Sequence, residues 1–503
     1  MKKTNGSLKA TCLDSVKALS FEEKAGLLLL AAVWLANVLF MASHRWLTDS
    51  DMANEVLLAQ HLNETGRIVS ADWLYTTEVR FFNLQWFFRL PLLIPGISWH
   101  AARTIGMGLL WAVYAAAAIV MMKKAGCGKE RYALGALVLM PLGSICWFLG
   151  LYGGYLIIYA TIALAAYSLL LEKGRTAFVC GLVLAVCSGM NGVKQMMVSY
   201  APLLLAVLWH SYEKKDAGMA AKAAAFAGAN GVGMLMNKAV FADISYVSFS
   251  NVRWSGSLWS AAVDIEGLLK VWTDFFGLFG YQGGVKLFSF AGIAGGLGIL
   301  TAAVVLLSLI AGRKEKTLLW KYILLALAVD GIAFSSLEAP YNPSYWLAVY
   351  PFALLYGAMM LPRLHKLAVW ILLWAGVVCS LATVSREAET PLRAKRGLQE
   401  SVAWLLDNGY REGVATFWSG DAAVEMSDGK LEVWTLDAYG YPFDFAWGQK
   451  RSHLMQLPQG KVFLLVDRSE DSHGLREKEA AYQNAYYTVL VYDDIGALME
   501  DMR

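Results

Sequence analysis

The chain reads as an all-α polytopic membrane bundle of about eleven transmembrane helices. Juxtamembrane helices are expected in its first outer loop, and a small α/β extracytoplasmic domain at its C-terminus. Three observations predict this. Hydrophobic residues make up 57% of the 503 positions and charged residues only 17%; mean hydropathy is +0.46, a composition foreign to a water-soluble globule. Apolar stretches close to the ~20 residues that cross a bilayer recur up to about residue 385. Beyond them the chain turns polar, with a helical pattern in "KRGLQESVAWLLDNG" and strand-like runs in "GVATFW", "LEVWTL", "KVFLLV" and "YYTVLVY".

The spans are expected near 25–43, 102–122, 132–151, 155–171, 176–192, 195–211, 219–238, 285–311, 319–337, 346–361 and 367–385. The seventh is the weakest, because Lys222, Asn230 and Lys238 interrupt it. Charge argues for keeping it. With the N-terminus inside, the short inner loops are "KKAGCGKER", "EKGR", "EKKDAGMAAK", "GRKEKT" and "PRLHK", all rich in lysine or arginine, as cytoplasmic loops are. Dropping the seventh span would place two of these outside. The odd count sends the C-terminal region outside, beside the long loops 44–101 and 239–284. The division expected is therefore a membrane domain at 1–385 and an extracytoplasmic domain at 386–503. The basic N-terminal leader is long for a secretory signal, so the first span is expected to be an uncleaved anchor. The six cysteines have no metal-type spacing and read as packing residues. A net charge of +3 without a long basic run gives no footprint for nucleic acid.

The informative stretch is "WLTDSDMANEVLLAQHLNETG", residues 46–66, directly after the first span. Asp49 or Ser50 can cap a helix, and Gly66 supplies the left-handed residue that ends one. Met52, Val56, Ala59 and Leu62 share one stripe, so this helix should lie along the membrane with that stripe inward. Asp51 then sits in the first turn, where free N–H groups and the helix dipole favour its carboxylate form. An ionised acid at the water–lipid boundary suits proton abstraction from a hydroxyl. Further on, "SADWLYTTEVRFFNLQWFFRLPLLI" carries Asp72, Tyr75, Glu78 and Arg80 into an aromatic segment broken by Pro91 and Pro95, which reads as a second interfacial helix.

This arrangement resembles the GT-C class of membrane glycosyltransferases, which includes protein O-mannosyltransferases and the aminoarabinose transferases of lipid A. Their first outer loop carries an acidic motif, commonly Asp-Glu-Ala, opening a juxtamembrane helix. Asp51 takes the place of the first acid and Ala53 that of the alanine. Met52 stands where the second acid would be, and Asp49 is the candidate to supply that carboxylate. "SGMNGVKQMMVSYAPLLL" and "YNPSYWLAVYPFALL" also look like recurrent segments of bacterial members. The resemblance implies a bacterial cytoplasmic-membrane enzyme that moves a sugar, with inversion, from a polyprenyl-phosphate carrier to an envelope acceptor on the outer face. Asp51 would be the general base. A fixed cation would stabilise the departing phosphate, and the candidates on the outer side are Arg80, Lys194, Arg253 and Lys286, with the two arginines favoured for their two-pronged grip.

Plainer roles stand beside these. Asp49 and Asp51 are ordinary cap and first-turn acids, and Glu78 and Arg80 could be surface ion pairs. His44 and His61 do not form a metal site by spacing, and no resident metal is expected, although Asp49, Asp51 and Asp72 could hold a divalent cation. The acids of "FWSGDAAVEMSDG" read as solvated loop residues. Asp330, mid-span, is either a hydrogen-bonded acid within the bundle or part of an ion pathway. The latter supports the alternative function, a polytopic transporter or lipid flippase.

Overall fold

The computed structural model describes residues 19–46, 48–75, 79–143, 154–241, 265–281, 284–336, 343–363, 366–436, 447–470 and 478–502. It is a multi-pass membrane protein: a helical bundle that carries a small mixed sheet at its C-terminal end. In chain order its helices are α1 (Phe21–Ser43), α2 (Ser50–Glu64), α3 (Gln85–Leu92), α4 (Trp99–Lys124), α5 (Arg131–Leu137), α6 (Gly154–Leu171), α7 (Arg175–Gly189), α8 (Ala201–Lys214), α9 (Ala217–Val240), α10 (Ile265–Gly277), α11 (Phe290–Gly312), α12 (Leu318–Ser336), α13 (Tyr350–Met360), α14 (Lys366–Asp407), α15 (Phe417–Met426) and α16 (Ile495–Asp501). Among the described residues, α1, α4, α6, α11, α12 and α14 contain stretches long and apolar enough to cross a membrane.

The other expected spans differ for physical reasons. The 346–361 segment forms only the 11-residue α13. Every residue of it from Tyr350 to Ala358 is buried, so its apolar side chains pack against protein on all sides. The 132–151 segment yields the short α5, and 144–153 lies outside the described residues. The seventh segment forms the 24-residue α9, and its polar residues are answered by neighbours. Lys222 Nζ donates to the carbonyls of Leu169, Leu170 and Glu172, closing the end of α6. Asn230 Nδ2 reaches the Ala185 carbonyl at 3.2 Å. Asn237 Nδ2 bridges the Val79 and Met190 carbonyls at 2.8 and 2.6 Å.

Close approach of α7 and α9 depends on glycine. A Cβ on Gly233 would lie 2.1 Å from the Val186 carbonyl oxygen, and one on Gly189 would lie 2.0 Å from that of Asn230. This is the small-residue packing that lets membrane helices touch backbone to backbone. Gly233→Leu is therefore expected to separate the pair and destabilise the bundle by about 2 kcal/mol or more. Thermal unfolding in detergent reads this, and a wild-type melting temperature would count against the contact.

The first loop folds as expected in outline. Asp49 caps α2 by accepting the Met52 N–H at 3.1 Å, and Gly66 has φ +63° beyond its end. Met52, Val56, Ala59 and Leu62 are all buried. Ser50, Ala53 and Asn54 are buried as well, where the C-terminal domain packs on the helix, and Leu58 is buried against Trp73, Tyr75 and Phe241. The amphipathic α3 buries Gln85, Phe88 and Pro91 and leaves Leu90, Leu93 and Ile94 exposed.

The last expected span and the helix expected at 395–409 are one continuous helix, the 42-residue α14. The boundary proposed at 386 thus falls inside a helix rather than in a linker. It leads into the sheet β3–β2–β5–β7–β6, built from β2 (Glu412–Thr416), β3 (Glu432–Leu436), β5 (Val462–Asp467), β6 (Tyr482–Gln483) and β7 (Tyr487–Tyr492). Strands β3, β2 and β5 are parallel, and β7 is antiparallel to both β5 and β6. The four predicted strand runs fall on β2, β3, β5 and β7, although Phe417 and Trp418 already belong to α15. A second sheet joins the two domains: β1 (Trp73–Leu74) pairs antiparallel with β4 (Gln449–Lys450), Trp73 opposite Lys450.

The acids of "FWSGDAAVEMSDG" are not solvated loop residues. They lie on and just after α15, the crossover between β2 and β3, and Asp421 and Glu425 are 3% and 1% exposed. At spacings of four and three residues, Asp421, Glu425 and Asp428 share one helix face. Each finds a partner in the membrane domain. Asp421 accepts from Asn54 at 2.7 Å, Glu425 from Arg103 at 2.6 Å and Thr48 at 2.9 Å, and Asp428 pairs with Arg45 at 2.8 Å while accepting the Trp99 N–H.

Candidate functional site

The start of α2 and the segment preceding α3 meet beside the first residues of α6. Arg80 lies with its guanidinium carbon 4.0 Å from the centre of the Tyr155 ring, and Lys194 lies over the same ring at 5.5 Å and over Tyr345 at 4.1 Å. Cations over aromatic faces are held without being neutralised. The charges of Lys194, Arg80 and Asp51 all act at the Tyr155 hydroxyl. Arg80, Lys194, Tyr155, Tyr345 and Asp51 are each only partly buried. Two cations thus lie over one half-buried tyrosine, within electrostatic reach of Asp51.

A turn beyond Asp51, Glu55 faces Arg80 at 3.9 Å and accepts from Asn83 Nδ2 at 2.6 Å. Its side chain is 14% exposed. Burial outweighs the attraction of Arg80, the Asp51 charge adds to it, and the carboxyl is pushed up to about 7. Below that pH Glu55 is neutral and Arg80 keeps a net positive charge.

The segment is pinned from below. Asn191 brackets Phe82, accepting its N–H at 2.7 Å and donating to its carbonyl at 2.9 Å, and also donates to Gln195. Asn191 sits where α7 gives way to Val193–Gln195 and the π-helical turn Met196–Tyr200, so the strand of chain carrying Lys194 also fixes the backbone next to Arg80. Such π turns often mark functional positions.

The sequence-predicted residues distribute as follows. Asp51, Arg80 and Lys194 come together around Tyr155. Asp49 is engaged as the α2 cap. Asp72 is exposed and pairs with Arg67 at 2.9 Å, away from Asp51 in role. Tyr75 is buried among Leu58, Leu62 and Phe241, and its hydroxyl accepts the Ser70 N–H; burial raises its pKa to about 12, so it packs rather than titrates. Lys286 is exposed in the turn before α11. Glu78 and Arg253 lie outside the described residues. No group of three or more His, Cys, Asp or Glu able to hold a metal occurs among the described residues.

Sequence reasoning missed Glu55, Asn83, Tyr155 and Tyr345. Glu55, at i+4 from Asp51, was legible as a same-face acid, and Tyr345 lies within a segment already singled out. Asp330 stays apart: it is fully buried in α12, with no hydrogen-bond partner for either carboxyl oxygen among the described residues. A cavity of 340 Å³, lined by Cys127, Glu130, Tyr167, Glu315 and Tyr356 among others, shares no residue with the Tyr155 cluster.

The architecture defines a class: a polytopic bundle with juxtamembrane helices in its first loop and a small mixed sheet packed on them at the C-terminal end. It is the GT-C fold. ArnT from Cupriavidus metallidurans, solved bound to undecaprenyl phosphate, superposes with a TM-score of 0.57 at 11% identity, covering 92% of this chain and 97% of its own. The apo form of the same enzyme gives 0.53 at 12% identity, covering 92% and 98%. An oligosaccharyltransferase of Archaeoglobus fulgidus is also similar, at 0.46 and 11% identity, covering 88% of this chain and 69% of that one. No family model and no curated protein matches the sequence.

Proposed function

We propose that this protein is an integral-membrane glycosyltransferase that moves a sugar from a polyprenyl-phosphate carrier to an acceptor on the outer face of a bacterial cytoplasmic membrane. The carrying observation is the pair of cations, Arg80 and Lys194, stacked on Tyr155 beside the turn that bears Asp51. The polyprenyl-phosphate-bound ArnT of the same fold supports the choice of donor.

Arg80 and Lys194 bind the carrier phosphate and stabilise the charge it gains on leaving. Asp51 takes the proton from the acceptor hydroxyl as its oxygen bonds to the anomeric carbon and the carbon–phosphate oxygen bond breaks. The polyprenyl phosphate departs and the configuration inverts. No metal is required by the groups described, and the protein's partners are the donor, an envelope acceptor and the bilayer. The test is consumption of a radiolabelled short-chain polyprenyl-phosphate sugar by purified protein in lipid nanodiscs. Sugar release or transfer supports the reading. Neither consumption nor saturable binding of any such donor would overturn it, and substrate movement that needs Asp330 would favour a transporter.

Glu55 gives this reading a pH signature. As pH rises through about 7 its carboxyl ionises and begins to neutralise Arg80, so the donor KM should rise across that window. Glu55→Gln should remove the step and bind donor about as well at pH 8 as the wild type does at pH 6. Steady-state kinetics over pH 5.5–8.5, taken here as the ~3-unit range that brackets the group, check it. A wild-type KM flat across this window would contradict the assignment.

A further inference from the structure

The C-terminal domain is more than an appendage of the bundle. One face of α15 presents Asp421 to Asn54 and Glu425 to Arg103 and Thr48, and the turn after it presents Asp428 to Arg45. The lower two contacts include full charge pairs and explain adhesion. The Asp421 contact differs. It is made to a neutral amide, it is 3% exposed, and it falls on Asn54, less than one turn beyond Asp51 in α2. The same Asn54 nitrogen also donates to the Gly448 carbonyl at 2.5 Å, and the Gly448 N–H donates in turn to the Leu74 carbonyl at 2.7 Å. A Cβ on Gly448 would stand 2.4 Å from that nitrogen, so the backbone approaches as closely as glycine permits. One amide therefore ties the first turns of α2 to α15 and to the β1–β4 junction.

We propose that Asp421 is a positioning residue for Asp51: by holding Asn54 against Gly448, it fixes the rotation and depth of the first turns of α2 and so aims the Asp51 carboxylate. This rests on the reading of Asp51 as the base. Charge makes Asp421 suited to the task. Burial, and to a lesser degree the nearby Asp51 charge, push its carboxyl well above the usual range against the pull of the Asn54 bond, so the site disfavours a second anion next to the base. Asp51 is the charged group that acts on it, and Asn54 is its hydrogen-bond partner. Nothing in the domain's own sheet requires an acid at this position, since β2 and β3 are joined by backbone pairing and by the apolar side of α15.

The prediction separates positioning from acid chemistry. Asp421→Ala should lower kcat about 10- to 100-fold through misplacement of Asp51, leaving donor KM within about twofold. Asp421→Asn, neutral and isosteric, should recover most of that rate. Asn54→Ala should show the same kcat loss, and combining it with Asp421→Ala should add little, as for two ends of one bond. Each variant's melting temperature is recorded, and Asp421→Ser replaces the alanine variant should that one not fold. Wild-type kcat in a folded Asp421→Ala protein overturns the proposal, and so does an Asp421→Asn protein as slow as the alanine variant. If the wild type transfers no sugar, the functional reading fails separately. Amide exchange then decides: faster exchange at residues 50–56 in Asp421→Ala than in Asp421→Asn sustains the positioning role, and equal exchange ends it.

Discussion

Replacing Asp51 with asparagine is expected to lower kcat for sugar transfer by about 10²- to 10⁴-fold, the contribution of a well-placed general base. The change is nearly isosteric and keeps the side chain in the first turn of α2, so the fold and the donor KM should change little. The charge is what is lost. Asp49→Asn supplies the contrast, because asparagine caps a helix as well as aspartate does and Asp49 already serves the Met52 N–H. It should keep most of the activity. Rates measured with a saturating donor distinguish the two, and an Asp51→Asn enzyme turning over like the wild type would remove Asp51 from the base role.

The second large effect is expected at the paired cations. Arg80→Ala should raise the donor KM by about 30-fold, since losing one charge-assisted, two-pronged contact to the phosphate costs on the order of 2 kcal/mol. Lys194→Ala should act in the same direction. Arg80→Lys should not fully rescue, because an ammonium cannot grip a phosphate in two prongs or lie flat on the Tyr155 ring. Direct binding of a polyprenyl phosphate without its sugar gives the cleanest measurement. Unchanged affinity in Arg80→Ala would move the phosphate away from Tyr155.

Much of this was legible locally. The cap at Asp49, the left-handed Gly66 and the buried stripe of α2 followed from rules that act within one or two turns. So did the strand runs of the C-terminal sheet, whose apolar alternation is a property of consecutive residues. Where reading failed, the deciding neighbour was distant. The acids of α15 read as solvated because acids usually are; Asp421 and Glu425 are buried because Asn54 and Arg103 lie 367 and 322 positions away in sequence and adjacent in space.

The sequence by itself determined the number and character of the apolar segments, the polar first loop with its acid beside the membrane, and the strands of the final domain, since hydrophobicity and capping are local in origin. Only the tertiary structure decided that Arg80, Lys194 and Tyr345 would converge on Tyr155, that Glu55 would be largely desolvated beside Arg80, and that α15 would clamp α2. Those outcomes depend on desolvation and on hydrogen bonds between residues hundreds of positions apart, and neither quantity exists until the chain has packed.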